Sequence, residues 1–408
     1  MKPRHPLEIA TTRGYVILIK GKPGTGKTSF SLVAGSRFGK VSYISFSEPE
    51  NYIRKKLNTV TSKKVKLIYS AILGNTERAV SDALGALASG NLVIIDSINA
   101  MLSSVKEKRP IEQLLYGASK GKEGSLLLIH EGLEESEADY ISDAILAFGY
   151  TEVHGRKVRS ISVLKDRNYP IRNAPYLFTF YKNRIKIFES SVKGELEAVG
   201  PIKKTEFPEP PYSFLSENNV LVKVSGEVHQ EIVRLMKLFF SVYYRKEEKN
   251  IVLELSPNED LESTKAIISA LSGNRFEPLV LRKPYLKNYA EARGYLESLE
   301  NTISNIKTGG MLITDTRPDE SFAISDVASY DGFVQQKVQL LAKYNFRRII
   351  FSYENFASTP VNEKYADSVK VVTDHYGTLV WISEKPPGSA YAIETDVKKF
   401  ELRNYRLI

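Results

Sequence analysis

The chain has 408 residues, 42% of them hydrophobic and 26% charged, which is enough for two or three domains that each bury a core. It contains no cysteine and only five scattered histidines, which excludes a disulfide framework, a thiolate metal site and a cysteine nucleophile and argues against transition-metal chemistry. The net charge of +9 is uneven: residues 1–200 hold 30 Lys and Arg against 20 Asp and Glu, whereas residues 201–408 hold 27 against 28.

No apolar run is long enough to span a membrane, and the first residues do not resemble a signal peptide, so a cytoplasmic protein with no membrane association is expected. The first apolar run, Tyr15-Val16-Ile17-Leu18-Ile19, reads as a strand. It leads into Gly21-Lys22-Pro23-Gly24-Thr25-Gly26-Lys27-Thr28, which fits G-x-x-x-x-G-K-[ST] at every position, and Ser29 to Ala34 then begins a helix. In such a loop the glycines let backbone N–H groups turn inward around a phosphate, and the helix dipole points at the same anion. Gly21, Pro23, Gly24, Thr25, Gly26, Lys27, Thr28 and Ser29 are therefore expected to hold ATP. Lys27 would reach the β- and γ-phosphates, and the Thr28 hydroxyl would ligand Mg²⁺.

The helix after the loop should stop near Gly39, and Val41 to Phe46 reads as a second strand. Ser47-Glu48-Pro49-Glu50 follows. A carboxylate at the tip of that strand is where an ATPase needs a group to orient or deprotonate the attacking water, and Glu48 is assigned that role. Glu50 is better read as the far end of a capping box begun by Ser47. A short strand near Val65 to Tyr69 and a helix opening at Thr76 lead to Asn91-Leu92-Val93-Ile94-Ile95-Asp96-Ser97. This apolar strand ends in Asp96, placed to hold Mg²⁺ or its water shell. Residues 104–124 read as a Lys-, Ser- and Gly-rich loop around a short helical stretch from Ile111 to Tyr116. Ser125 to Glu131 is a further buried strand, with His130 read as a satisfied surface histidine.

Asp139 to Phe148 and Arg159 to Arg167 follow, then two strands, Tyr176 to Tyr181 and Arg184 to Phe188, joined at Lys182-Asn183. The order is distinctive: a phosphate loop, a carboxylate after the second strand, V-I-I-D-S, an A-D-x-x-x-D-A-I segment, and a strand ending in K-x-R. In this order residues 14–190 resemble the KaiC-like ATPases of the RecA superfamily. The short lead-in to the first strand is closest to their gas-vesicle-regulator, GvpD-like, branch. The resemblance implies that Lys27 and Thr28 bind nucleotide and that Asp96 serves Mg²⁺. It also implies that Lys165 and Arg167 match the pair that, in the family's rings, reaches the γ-phosphate of a neighbouring subunit. The family usually has two adjacent glutamates where this chain has Ser47-Glu48, which implies slow hydrolysis.

Residues 191–212, rich in Pro, Gly and charge, read as a linker. Beyond it the order of the first half repeats. Val220 to Gly226 follows Tyr15 to Gly21, Ile251 to Asp260 follows Val41 to Asn51, Met311 to Thr316 follows Val93 to Ser97, and Ile349 to Glu354 follows Leu127 to Glu131. Leu379 to Lys385 follows the strand of the K-x-R pair, with Lys385 retained and Pro387 in the arginine position. The phosphate loop is replaced by Gly226 to Val233, where Glu231 would repel a phosphate. The expected fold class is α/β. A RecA-like P-loop NTPase domain with a central, mostly parallel sheet spans residues 1–190, and a degenerate RecA-like α/β domain without a functional phosphate loop spans 213–408.

The leading functional expectation is a slowly hydrolysing regulatory ATPase that forms a homo-oligomer with nucleotide at subunit interfaces and contacts a protein partner through its second domain. A RecA/RadA-paralogue-type DNA-binding ATPase of recombination or repair ranks second, because residues 104–124 have few aromatics for base stacking. A nucleotide-gated switch that does not hydrolyse is the third.

Overall fold

Every residue of Val16–Gly21 is buried, as a strand covered on both faces must be. Its alternate side chains enter different cores. Ile17 and Ile19 pack with Phe30, Ile53 and Leu57, whereas Val16 and Leu18 pack with Ala83, Leu87 and Leu115. The computed structural model describes residues 2–38, 40–46, 48–60, 66–71, 76–103, 109–120, 124–181, 184–189, 192–193, 217–245, 250–272, 279–396 and 401–407. The chain divides into two compact units, Met1–Glu189 with Leu407–Ile408, and Ser190–Arg406.

The strands of the first unit are β1 (Val16–Gly21), β2 (Lys40–Ser45), β3 (Lys66–Ala71), β4 (Leu92–Asp96), β5 (Ser125–Glu131), β6 (Ala144–Val153), β7 (Arg156–Asp166), β8 (Tyr176–Tyr181) and β9 (Arg184–Ile187). They form one sheet in the order β3-β2-β4-β5-β1-β6-β7-β8-β9. The first six in that order run parallel, and β7, β8 and β9 complete the edge antiparallel. Its helices are α1 (Pro6–Ala10), α2 (Lys27–Phe38), α3 (Glu50–Val60), α4 (Thr76–Ala88), α5 (Ile98–Leu102), α6 (Arg109–Lys120) and α7 (Glu137–Ile141). α2 and α3 cover one face of the sheet, and α4, α5 and α6 the other. α6 runs 12 residues, where the sequence suggested only a short turn of helix from Ile111 to Tyr116. Leu115 at zero exposure anchors it to the core and accounts for the extra length. Gly39, Ser47 and the turn Lys182-Asn183 lie outside the described residues.

The second unit contains β10 (Val192–Lys193), β11 (Asn219–Val224), β12 (Asn250–Leu255), β13 (Leu279–Arg282), β14 (Gly310–Asp315), β15 (Phe346–Tyr353), β16 (Ser368–His375), β17 (Thr378–Lys385), β18 (Ala390–Asp396) and β19 (Glu401–Leu407). Its helices are α8 (Gln230–Arg245), α9 (Leu261–Ser272), α10 (Tyr289–Ser304), α11 (Glu320–Ser325), α12 (Val327–Lys343) and α13 (Ser358–Lys364). Read from one edge, the sheet runs β13-β12-β14-β15-β11-β16-β17-β18-β10. Its first eight strands match the first sheet place for place, β11 standing where β1 stands and β14 where β4 stands, the arrangement expected of two RecA-like domains. Parallel strands again dominate, with β17 and β18 antiparallel. Val192 and Lys193 pair with Thr395 and Asp396, so the first described residues of the stretch read as a linker belong to this sheet. The remainder, residue 191 and residues 194–212, lies outside the described residues. Among the described residues no helix is long and apolar enough to cross a membrane.

Candidate nucleotide site

β1 ends at Gly21 and α2 starts at Lys27, so five residues make the turn between them. Gly21 has φ +151°, and a Cβ there would stand 2.4 Å from the Phe148 carbonyl oxygen. Gly26 has φ +105° and lies against the Phe180 ring, a conformation and a contact that a side chain would oppose. Pro23 and Gly24 are exposed at the tip of the turn, whereas Thr25 is buried and donates to the Lys22 carbonyl at 2.9 Å. Lys27 is 6% exposed, and its Nζ donates to the carbonyls of Gly21 at 2.6 Å and Lys22 at 2.9 Å. Burial lowers the Lys27 pKa, opposed by the nearby charges of Glu131 and Asp96. Ser29 follows on the first turn of α2, half-buried.

The register of the sheet brings the second carboxylate to this helix. Asp96, the last residue of β4, is paired with Ser45 of β2 and Ile129 of β5, so it emerges at the same end of the sheet as Gly21. The Thr28 hydroxyl donates to Asp96 Oδ2 at 2.9 Å across 68 residues of chain. Two adjacent hard oxygens beside a buried ammonium fit a Mg²⁺ that keeps most of its waters and takes its remaining ligands from a triphosphate. The Tyr43 hydroxyl donates to the same Oδ2. Tyr43 has no exposed surface, and burial together with the Asp96 charge raises its pKa far above the tyrosine range, so it stays protonated.

Glu48 is held by Ser45, whose hydroxyl donates to the Glu48 carbonyl at 2.9 Å and accepts from its N–H at 3.0 Å. Burial raises the Glu48 pKa, Lys56 at 4.0 Å opposes the rise, and Asp96 and Glu131 add to it. Glu50 turns away and pairs with Arg54 at 2.6 Å, one helical turn on. Glu131, at the end of β5, completes the acidic rim around Lys27 and Glu48, and its N–H is fixed by Asn99 Oδ1 at 2.9 Å. Tyr43 and Glu131 were not assigned from sequence. A tyrosine inside an apolar strand carries no signal, and Glu131 was visible only as a polar strand exit. His130 is buried rather than at the surface, 8% exposed, with Nε2 at 3.1 Å from Asn99 Nδ2.

Lys165 and Arg167 are not brought to this end of the sheet. Lys165 pairs with Ile145, which lies beside Leu18 of β1, and Arg167 bonds to Asp143, which bonds to Val16 at the start of β1. At 3.3 Å per residue, Arg167 stands roughly 15 Å from the loop along the strand axis. The Lys165 Nζ donates to the Asp139 carbonyl at 2.8 Å, and Arg167 donates to the Tyr116 hydroxyl at 2.8 Å. Asp166 between them is gripped by Arg4, with N–O distances of 2.7 and 2.9 Å, while the Arg4 guanidinium stacks 4.0 Å from the Tyr169 ring.

The matching place in the second unit is built differently. Asp315 ends β14 beside Phe351 as Asp96 ends β4 beside Ile129. That register sets Val224, rather than Gly226, level with Gly21, a shift of two residues from the alignment read in the sequence. Gln230 then replaces Lys27 and Glu231 replaces Thr28, and Glu231 pairs loosely with Arg234 at 3.7 Å. Asp315 accepts from Lys237 Nζ at 2.8 Å, Arg317 Nη2 at 2.9 Å and Ser256 Oγ at 2.9 Å, with Glu259 also on Lys237 at 2.7 Å. Burial would raise the Asp315 pKa, but Lys237 and Arg317 hold it well below the usual carboxylate range. Lys385, level with Lys165 by strand register, donates to the Ala366 carbonyl at 2.6 Å.

Residues 9–192 match the family model described as ATPase: KaiC. No curated protein matches the chain. The first unit is thus a KaiC-like ATPase domain of the RecA superfamily; the match carries no information on the GvpD-like branch.

Proposed function

We propose that the KaiC-like domain binds ATP with Mg²⁺ and hydrolyses it slowly in the cytoplasm, in a regulatory role exerted through the second unit. The observation that carries this reading is the 2.9 Å pairing of Thr28 and Asp96 beside the buried ammonium of Lys27. When bound, Mg²⁺ would neutralise charge on the β- and γ-phosphates. Thr28 and Asp96 would hold it, and Lys27 would exchange its two loop carbonyls for phosphate oxygens. Glu48 would take the proton of a water whose oxygen attacks the γ-phosphorus as the bond to the β–γ bridging oxygen breaks, giving ADP and phosphate. Only one carboxylate serves as this base, which agrees with slow turnover.

Lys165 and Arg167 stand near the start of β1, far from the loop of their own unit, so a part in hydrolysis would be played at the nucleotide of a second copy. Domain limits near residues 1–190 and 213–408 suit this division of labour: one unit for the nucleotide, one for contact with a protein partner. Equilibrium binding of ATP·Mg²⁺ and steady-state hydrolysis test the site. Wild type should bind and turn over slowly, and Lys27→Ala should lose both, turnover by roughly 10²–10³-fold as for loss of one preorganised charge donor. Turnover that survives Lys27→Ala would refute it.

A further inference from the structure

Tyr43 fills its place in the core with a ring that phenylalanine would match in volume, so its hydroxyl needs a separate account. That hydroxyl is fully buried, and a buried O–H demands an acceptor. The acceptor here is Asp96 Oδ2, which also receives the Thr28 hydroxyl. Two donors on one oxygen restrict the swing of the carboxylate and leave Oδ1 outside both of these bonds.

The second unit supplies an internal comparison. Leu253 pairs with Ile313 two residues before Asp315, as Tyr43 pairs with Ile94 two residues before Asp96. Where the strand carries leucine, the carboxylate is taken up by Lys237, Arg317 and Ser256. Where it carries tyrosine, the carboxylate is held by neutral donors that leave its charge for another cation.

We propose that Tyr43 is a positioning residue for the divalent metal, orienting the Asp96 carboxylate toward the hydrated cation of a bound nucleotide. This rests on the assignment of Thr28 and Asp96 to Mg²⁺ given above. A neutral hydroxyl suits the task, because a cationic partner would compete with the metal for the same charge. Partners that orient a ligating group change metal affinity by about 10–100-fold when removed.

The test is the affinity of a fluorescent ATP analogue for wild type and Tyr43→Phe, titrated with Mg²⁺ and repeated in EDTA. The expected result is EDTA affinity within about twofold of wild type, with the Mg²⁺ concentration at half-effect raised about tenfold. Unchanged Mg²⁺ dependence would overturn the proposal. Equal loss in EDTA and in Mg²⁺ would assign Tyr43 to packing of the strand and overturn it as well. Wild type that binds the analogue in neither condition would overturn the nucleotide assignment itself.

Discussion

The two units share eight strands in one order, yet treat the same carboxylate position in opposite ways. In the first unit, the buried carboxylate of Asp96 accepts from two hydroxyls, which are neutral donors. In the second, Asp315 is enclosed by Lys237 and Arg317, which are covalent parts of the protein, and Glu259 balances the second positive charge. Lys237 reaches Asp315 from α8 because side chains on a helix lean back toward its N-terminus. The position that carries the proposed ligand site in the first unit is part of a salt-bridged core in the second, with the strand order the same and a five-residue turn between β11 and α8.

This contrast can be broken most severely at Arg167. Arg167→Ala should cut ATP turnover by about 10³-fold or more while leaving nucleotide affinity unchanged, since its own loop lies at the other end of β1. Solution mass measured with and without ATP·Mg²⁺ checks the premise; a monomer with full activity would remove it. Next in size is Lys237→Ala, which strands Asp315 and Glu259 and should destabilise the second unit by about 3–5 kcal/mol. ATP binding by the first unit should persist, as a two-transition melt with one nucleotide-sensitive step would report. If nucleotide protected both transitions, the distinction between an open and a filled site would fail.

The smallest effect concerns pH. A base must be ionised to work, and the Glu48 pKa lies above the usual glutamate value of 4.5 because of burial. Turnover at saturating nucleotide should therefore fall as pH falls, along a limb displaced upward from 4.5. Glu48→Gln should remove that limb together with the turnover. A protein whose nucleotide response is untouched by Glu48→Gln would instead be a binding switch.

Contiguous features were legible in the sequence: the loop from Gly21 to Thr28, the strand ending in Asp96, and the repeat of element order after residue 213. Features made by strand register were not. Tyr43 and Asp96 are 53 residues apart, and Lys237 and Asp315 are 78 apart, and no local pattern announces either pair. The same cause displaced the alignment of the degenerate turn, because Gly226 offered a glycine match while hydrophobic pairing of β11 with β15 set Val224 in its place. Residues 104–108 and 121–123, part of the basic stretch weighed as a DNA contact, lie outside the described residues.

Arg4 grips Asp166 between the two residues proposed to act at the nucleotide of a second copy, with the adjoining helix α1 buried at Leu7 and Ile9. The orientation of the Lys165–Arg167 strand end is thus tied to Arg4 and the adjoining α1. Arg4→Ala should loosen that strand end while leaving ATP affinity unchanged. A binding assay alone would therefore not detect the loss of this grip; the turnover measured beside it would.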